Sequence, residues 1–154
     1  MKRYRITAAG IELTQDFEWI LAKVITGAWL AMLPIKRNLN VTTGELITDR
    51  GIRYPGYDVE DLSTYTSDGS ARVYSPAKAN DSMHIYGTTS GISGEVILLE
   101  TPGLLNADFH FSDASAYNKI YFNAKGAASG APDCTTAVGE KWRMKTLYKI
   151  TTRN

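Results

Sequence analysis

A single cysteine, Cys134, stands among the 154 residues, which excludes an internal disulfide and leaves folding to the apolar core. Asp133, Thr135 and Thr136 beside it offer no imidazole or ammonium to lower its pKa, so it reads as an ordinary thiol. An excess of one charge is also lacking. Seventeen Lys and Arg face sixteen Asp and Glu, and the formal net charge of +1 excludes a global field that steers nucleic acid. No long apolar run is present: Glu18 and Lys23 interrupt the best candidate, and Val24 to Leu33 covers about half of the roughly 20 residues a spanning helix needs. The basic start Met1-Lys-Arg-Tyr-Arg leads into Ile6 to Leu13, which Thr7, Gly10 and Glu12 break. No secretory leader is read there, and the chain is expected to be made and kept in the cytoplasm.

Chemical motifs are equally scarce. The two histidines, His84 and His110, sit in alternating stretches where each shares a face with polar residues and is expected to meet solvent. With Asp108, Glu95 or Glu100 they can be drawn into a metal set, but the spacing matches no ligand motif. Glu60 with Asp61, Glu95 with Glu100 and Asp108 with Asp113 are acid pairs with no sign that they face across a cleft. The Gly-x-Ser-x-Gly elbow is absent, and the glycine-rich stretch Gly87 to Gly94 lacks the Lys-Ser/Thr of a phosphate loop. The reading is a non-enzymatic chain with no catalytic residue, cofactor or metal.

What the chain does contain begins at Thr14. Spaced at about 100° per residue, Phe17, Ile20, Leu21, Val24, Ile25, Ala28, Ala31 and Met32 share one face, and Trp19, Trp29, Leu30 and Leu33 the other. Thr14 suits an N-cap, Asp16 and Glu18 the first turn, and Pro34 the stop, so the spacing predicts a helix over 14–33. One face is assigned to the core. Trp19, Trp29, Leu30 and Leu33 are assigned to an interface with a neighbour.

Elsewhere the period is two. Strands are expected over Lys2 to Thr7, Ala71 to Tyr74, Ser82 to Gly87, Glu95 to Glu100, Ala107 to Phe111, Asn118 to Asn123 and Lys141 to Thr152, with a hairpin over 39–48. Asp58 to Leu62 suggests one helical turn. Gly126 to Gly139 is a long small-residue loop with Val138 as its one core-forming residue. The last strand alternates most clearly: Trp142, Met144, Thr146, Tyr148 and Ile150 lie on one face and Lys141, Arg143, Lys145, Leu147 and Lys149 on the other. Its basic residues carry no interleaved aromatics for stacking bases, so the row reads as a solvated face.

The expected fold class is therefore α+β: mainly β with one N-terminal α-helix, the strands forming an antiparallel β-sandwich or barrel-like sheet. Residues 1–35 are read as an arm and apolar helix for anchoring or packing, and 36–154 as the β-rich domain. A small body rich in Gly, Ser, Thr and Tyr with an apolar segment to spare resembles, in general style, the structural proteins of tailed-bacteriophage virions, such as capsid-decoration, neck or tail components. That resemblance implies partners that are other copies of the chain or other assembly subunits. Alternatives are a carbohydrate- or receptor-binding β-module using its nine Tyr and three Trp, and a small hydrolase centred on His84 or His110.

Overall fold

The computed structural model describes residues 1–36, 51–53, 60–61, 71–74, 80–86, 92–102, 108–113, 117–123 and 134–152. These residues form thirteen strands: β1 (Lys2–Thr7), β2 (Gly10–Glu18), β3 (Lys23–Ile25), β4 (Trp29–Lys36), β5 (Gly51–Arg53), β6 (Glu60–Asp61), β7 (Ala71–Tyr74), β8 (Ser82–Tyr86), β9 (Ile92–Glu100), β10 (Asp108–Asp113), β11 (Tyr117–Asn123), β12 (Cys134–Thr136) and β13 (Lys141–Thr152). A seven-stranded sheet runs β1-β2-β13-β9-β8-β5-β6, a four-stranded one β4-β11-β10-β7, and β12 pairs with β3. Every pairing is antiparallel.

The expected helix over 14–33 is not formed. Its residues are the end of β2, all of β3 and the start of β4, and no helix occurs among the described residues. The overlooked signal is a strict alternation in β2: Glu12, Thr14, Asp16 and Glu18 are polar, while Leu13 and Phe17 flank Gln15 on the other face. Long-range pairing decides the outcome, because Asp16 and Glu18 stand opposite Arg143 and Lys141 of β13. The intended core face is split accordingly: Ile25 and Ala31 are buried, but Ile20, Leu21, Val24 and Met32 are exposed. The first 36 residues also enter all three sheets, through β2 on β13, β4 on β11 and β3 on β12.

One core joins the two larger sheets. Met83, Val96, Leu98, Trp142 and Met144 from the seven-stranded sheet meet Phe109, Ile120 and Phe122 from the four-stranded one, with Phe17, Leu30 and Leu33 at the margin. The alternation expected of β13 is what builds it: Trp142, Met144 and Thr146 are buried, and Lys141 and Arg143 exposed. In β4 the pleat is interrupted, since Leu33 pairs with Ile120 and Leu30 with Phe122, leaving Ala31 and Met32 opposite Tyr121. Ala31 takes φ 50 at this bulge, and the extra residue puts Leu30 and Leu33 on the same side.

Other expectations fare unevenly. β1, β7 and β13 match their expected bounds, and β9 begins three residues earlier than expected. Glu60–Asp61 is strand rather than helical turn, and the hairpin at 39–48 lies outside the described residues. The 126–139 stretch contributes a strand, β12, whose Thr136 is buried, whereas Val138 is exposed. Thr136 earns that place through its hydroxyl, which accepts the Lys23 N–H at 3.2 Å and donates to the Lys23 carbonyl at 3.3 Å. The turn into β13 is closed by Glu140, which accepts from the Ala137 N–H at 2.9 Å and from Trp142 Nε1 at 2.7 Å.

Candidate interaction surfaces

Three of the four expected interface residues are used inside the chain. Trp19 follows β2 and meets Trp142 edge to face at 5.1 Å, and Leu30 and Leu33 pack against the core. Trp29 keeps 44% of its surface exposed and stands edge-on over a stacked pair, 4.9 Å from His110 and 4.8 Å from Tyr121. His110 and Tyr121 are opposite each other on β10 and β11, 5.2 Å apart at 19°. The Lys119 ammonium lies 4.8 Å from the Tyr121 ring centre. His110 is therefore buried under aromatic rings, and the expected solvent-facing histidine is corrected; alternation placed it opposite Phe109 but did not foresee β4 covering that face.

A larger apolar surface lies along β1, expected from sequence as a strand with a basic edge. Register puts Tyr4 and Ile6 of β1, Ile11 and Leu13 of β2, and Tyr148 and Ile150 of β13 on the same face as the core residues Met144 and Trp142. The near end of this face is covered, and the far end is not: Tyr4 is 68% exposed, Ile6 84% and Ile150 74%. The seven-stranded sheet overhangs its cover. A second exposed group, Ile20, Leu21, Val24 and Val138, gathers at the opposite end of β2, where the Gly139 N–H donates to the Trp19 carbonyl at 2.7 Å.

Tyr148 stands at the border of the overhang. Burial pushes its hydroxyl up to about 12, with Tyr4 nearby adding to the shift. The unfolded chain releases this proton near pH 10 and the folded one near 12, so the associated stability is complete below pH 10 and is lost as pH rises through 12. Urea unfolding of the wild type and of Tyr148→Phe should therefore diverge in that window, the wild type losing on the order of 2 kcal/mol more. Parallel losses in both proteins would refute the assignment.

The opposite face of the same sheet is ionic. Lys141 meets Glu18 at 3.9 Å, Arg143 meets Asp16 at 3.8 Å and Glu100 at 3.3 Å, Lys145 meets Glu12 at 2.8 Å, and Lys149 meets Glu95 at 3.4 Å. Arg3 of β1 adds a 2.7 Å pair with Asp16. A hydrogen bond from Lys145, reinforced by its charge and that of Arg5, holds the Glu12 carboxyl below its ordinary range. Each basic residue of β13 thus has a carboxylate beside it, and a phosphate chain has to compete for it. These pairs sit at the sheet surface, where solvent screens them, so they set register more than stability.

Catalytic geometry is thin. His84 Nε2 and Ser93 Oγ are hydrogen-bonded across β8 and β9, with Glu95 opposite His84. The imidazole can take the hydroxyl proton, and among the described residues the backbone groups around Ser93 are those of β8, β9 and β13, which pair with one another. Among the described residues no group of three His, Cys, Asp or Glu can hold a metal ion, and no helix is long and apolar enough to cross a membrane. An open groove of about 530 Å³ runs past Met1, where β2 outlasts β1, and Phe17 and Trp142 line it among Asp16, Glu18, Lys141 and Arg143. Those four charges already face one another in pairs. No family model, curated protein or solved structure matches the chain.

Proposed function

We propose that the chain is a non-enzymatic structural subunit that builds an assembly of its own copies, in the manner of a small virion component of a tailed bacteriophage. The observation that carries this reading is the overhang, in which Tyr4, Ile6, Ile11 and Ile150 stand exposed on one face beside β1, the edge strand of the sheet among the described residues. An exposed apolar surface of this kind marks a contact with another macromolecule. Trp19, Leu30 and Leu33 no longer serve as docking residues in this reading, because the core uses them.

Light scattering on the purified chain should give a multiple of its 17.0 kDa mass. The double variant Ile6→Ser/Ile150→Ser should lower that mass and leave the unfolding free energy from urea titration within about 0.5 kcal/mol of wild type, as both side chains are exposed in the single copy. A wild-type chain that stays at 17.0 kDa across concentration would reject the proposal.

A second reading rests on Trp29, whose exposed ring over His110 and Tyr121 is a candidate sugar platform in a carbohydrate- or receptor-binding module. It requires a monomer whose Trp fluorescence responds to added sugar and stops responding in Trp29→Ala.

A further inference from the structure

Two apolar surfaces lie at opposite ends of β2, a strand of nine residues and therefore about 30 Å long. They differ in shape. The first is the overhang, a recessed corner of the seven-stranded sheet whose central row, Ile6, Ile11, Tyr148 and Val96, runs by register across β1, β2, β13 and β9. Ile6 is the most exposed member of that row and Val96 is fully buried against the four-stranded sheet. The row therefore dips beneath the end of its cover, and sheets packed about 10 Å apart leave a step there.

The second surface protrudes. It is a tip made of the bend at Ile20 and Leu21, the turn at Val138 and Gly139, and Val24 of β3, and Ile20 is 80% exposed and Val138 68%. Backbone bonds brace it: the Trp19 N–H donates to the Glu140 carbonyl at 2.9 Å, the Gly139 N–H to the Trp19 carbonyl at 2.7 Å and the Glu140 N–H to the Ala137 carbonyl at 3.2 Å. Val24 is held by the pairing of β3 with β12. A tip fixed in this way loses little freedom when it docks.

Charge is withdrawn from both surfaces. Alternation sends Arg3, Arg5, Glu12 and Lys149 to the opposite face of the sheet from Ile6, Ile11 and Ile150. At the tip, Glu140 spends both carboxylate oxygens inside its own turn, on the Ala137 N–H and Trp142 Nε1, and Lys23 stands at the margin. Apolar centres with charges moved to the rim are the composition of a protein interface core.

We infer that the tip of one copy, Ile20, Leu21, Val24 and Val138, docks in the step of the next, against Tyr4, Ile6, Ile11 and Ile150. This rests on the assembly reading above and names the contact that builds the assembly. Symmetry selects it. A two-fold contact through either surface buries that surface twice and leaves the other in water, whereas tip on step buries both with one kind of interface. The shapes agree, since a protruding turn fills a recess and two protruding tips touch at a point. Two different surfaces in contact make a heterologous junction, which repeats into a ring or a filament.

Complementing variants test this. Ile20→Ser/Val138→Ser removes the tip and keeps the step, and Ile6→Ser/Ile150→Ser removes the step and keeps the tip. In light scattering each alone should have its self-association weakened by about tenfold or more. An equal mixture retains one intact junction, so it should give pairs at twice the 17.0 kDa mass that grow no further. All four side chains are exposed in the single copy, and urea titration checks that both variants are folded. A tip variant that associates like the wild type, either variant alone forming pairs, or a mixture that stays at the single mass overturns the inference while leaving the assembly reading in place. A wild type that never associates removes both.

Discussion

Replacing Phe122 with Ala is expected to cost about 3–5 kcal/mol, the usual range for emptying a buried aromatic site. Phe122 has no exposed surface and lies edge to face on Phe109 at 6.0 Å, in the layer where β11 faces the seven-stranded sheet. Its neighbours are held by paired strands on both sides, β4 through Leu30 and β10 through Phe109, so collapse into the vacated space is restricted. A domain of this size has about 5–15 kcal/mol in all, and with a urea slope near 2 kcal/mol/M the midpoint should fall by roughly 2 M. Phe122→Leu, which keeps an apolar filler, should fall by much less. A midpoint unmoved in Phe122→Ala would mean that the two sheets do not share this core.

The second large effect is expected at Gly10, which opens β2 after the turn Thr7-Ala8-Ala9-Gly10. The turn is held by the Thr7 hydroxyl, which donates to the Gly10 carbonyl at 3.1 Å and accepts the Ala9 N–H at 3.2 Å. Gly10 has φ +137, and a Cβ there runs into the Tyr148 carbonyl oxygen, with Leu147 Cδ1 also at 3.3 Å. A backbone oxygen in a paired strand cannot swing aside as a side-chain tip can. Gly10→Ala should therefore combine left-handed strain of about 1–2 kcal/mol with overpacking of about 1–3 kcal/mol. Gly139→Ala separates the two, because Gly139 has φ +78 and open space around it. It should show the strain alone. Equal urea midpoints for the two variants would contradict the close approach of β1–β2 to β13. Because the same hairpin carries the exposed Tyr4 and Ile6, Gly10→Ala should also weaken self-association.

How much of this was legible depended on whether one element or two had to be known. β13 was readable because its alternation lies within one element: Trp142, Met144 and Thr146 become core and Lys141, Arg143, Lys145 and Lys149 the ionic face, while Leu147 interrupts the basic row and Ile150 runs past the core. The helix over 14–33 was not the outcome although a helical period fits it, because the segment also contains Val24, Ile25, Thr26 and Gly27, poor helix residues, and its strands find partners far along the chain. The overhang was not legible at all. Ile6 and Ile150 are 144 residues apart in sequence, and nothing local says that both extend beyond the sheet that covers Met144 and Trp142.

By itself the sequence determined that this is a mainly β protein with balanced charge, without a disulfide framework and without a legible catalytic motif, because composition and two-residue periodicity are local properties. Only the tertiary structure decided which apolar rows are buried and which are left facing outward, and which charged rows lie beside one another. Those outcomes depend on strand order and on where one sheet stops covering another. Pairing energies between residues distant in the chain set both, and here they outweighed the helical preference of the segment from Thr14 to Leu33.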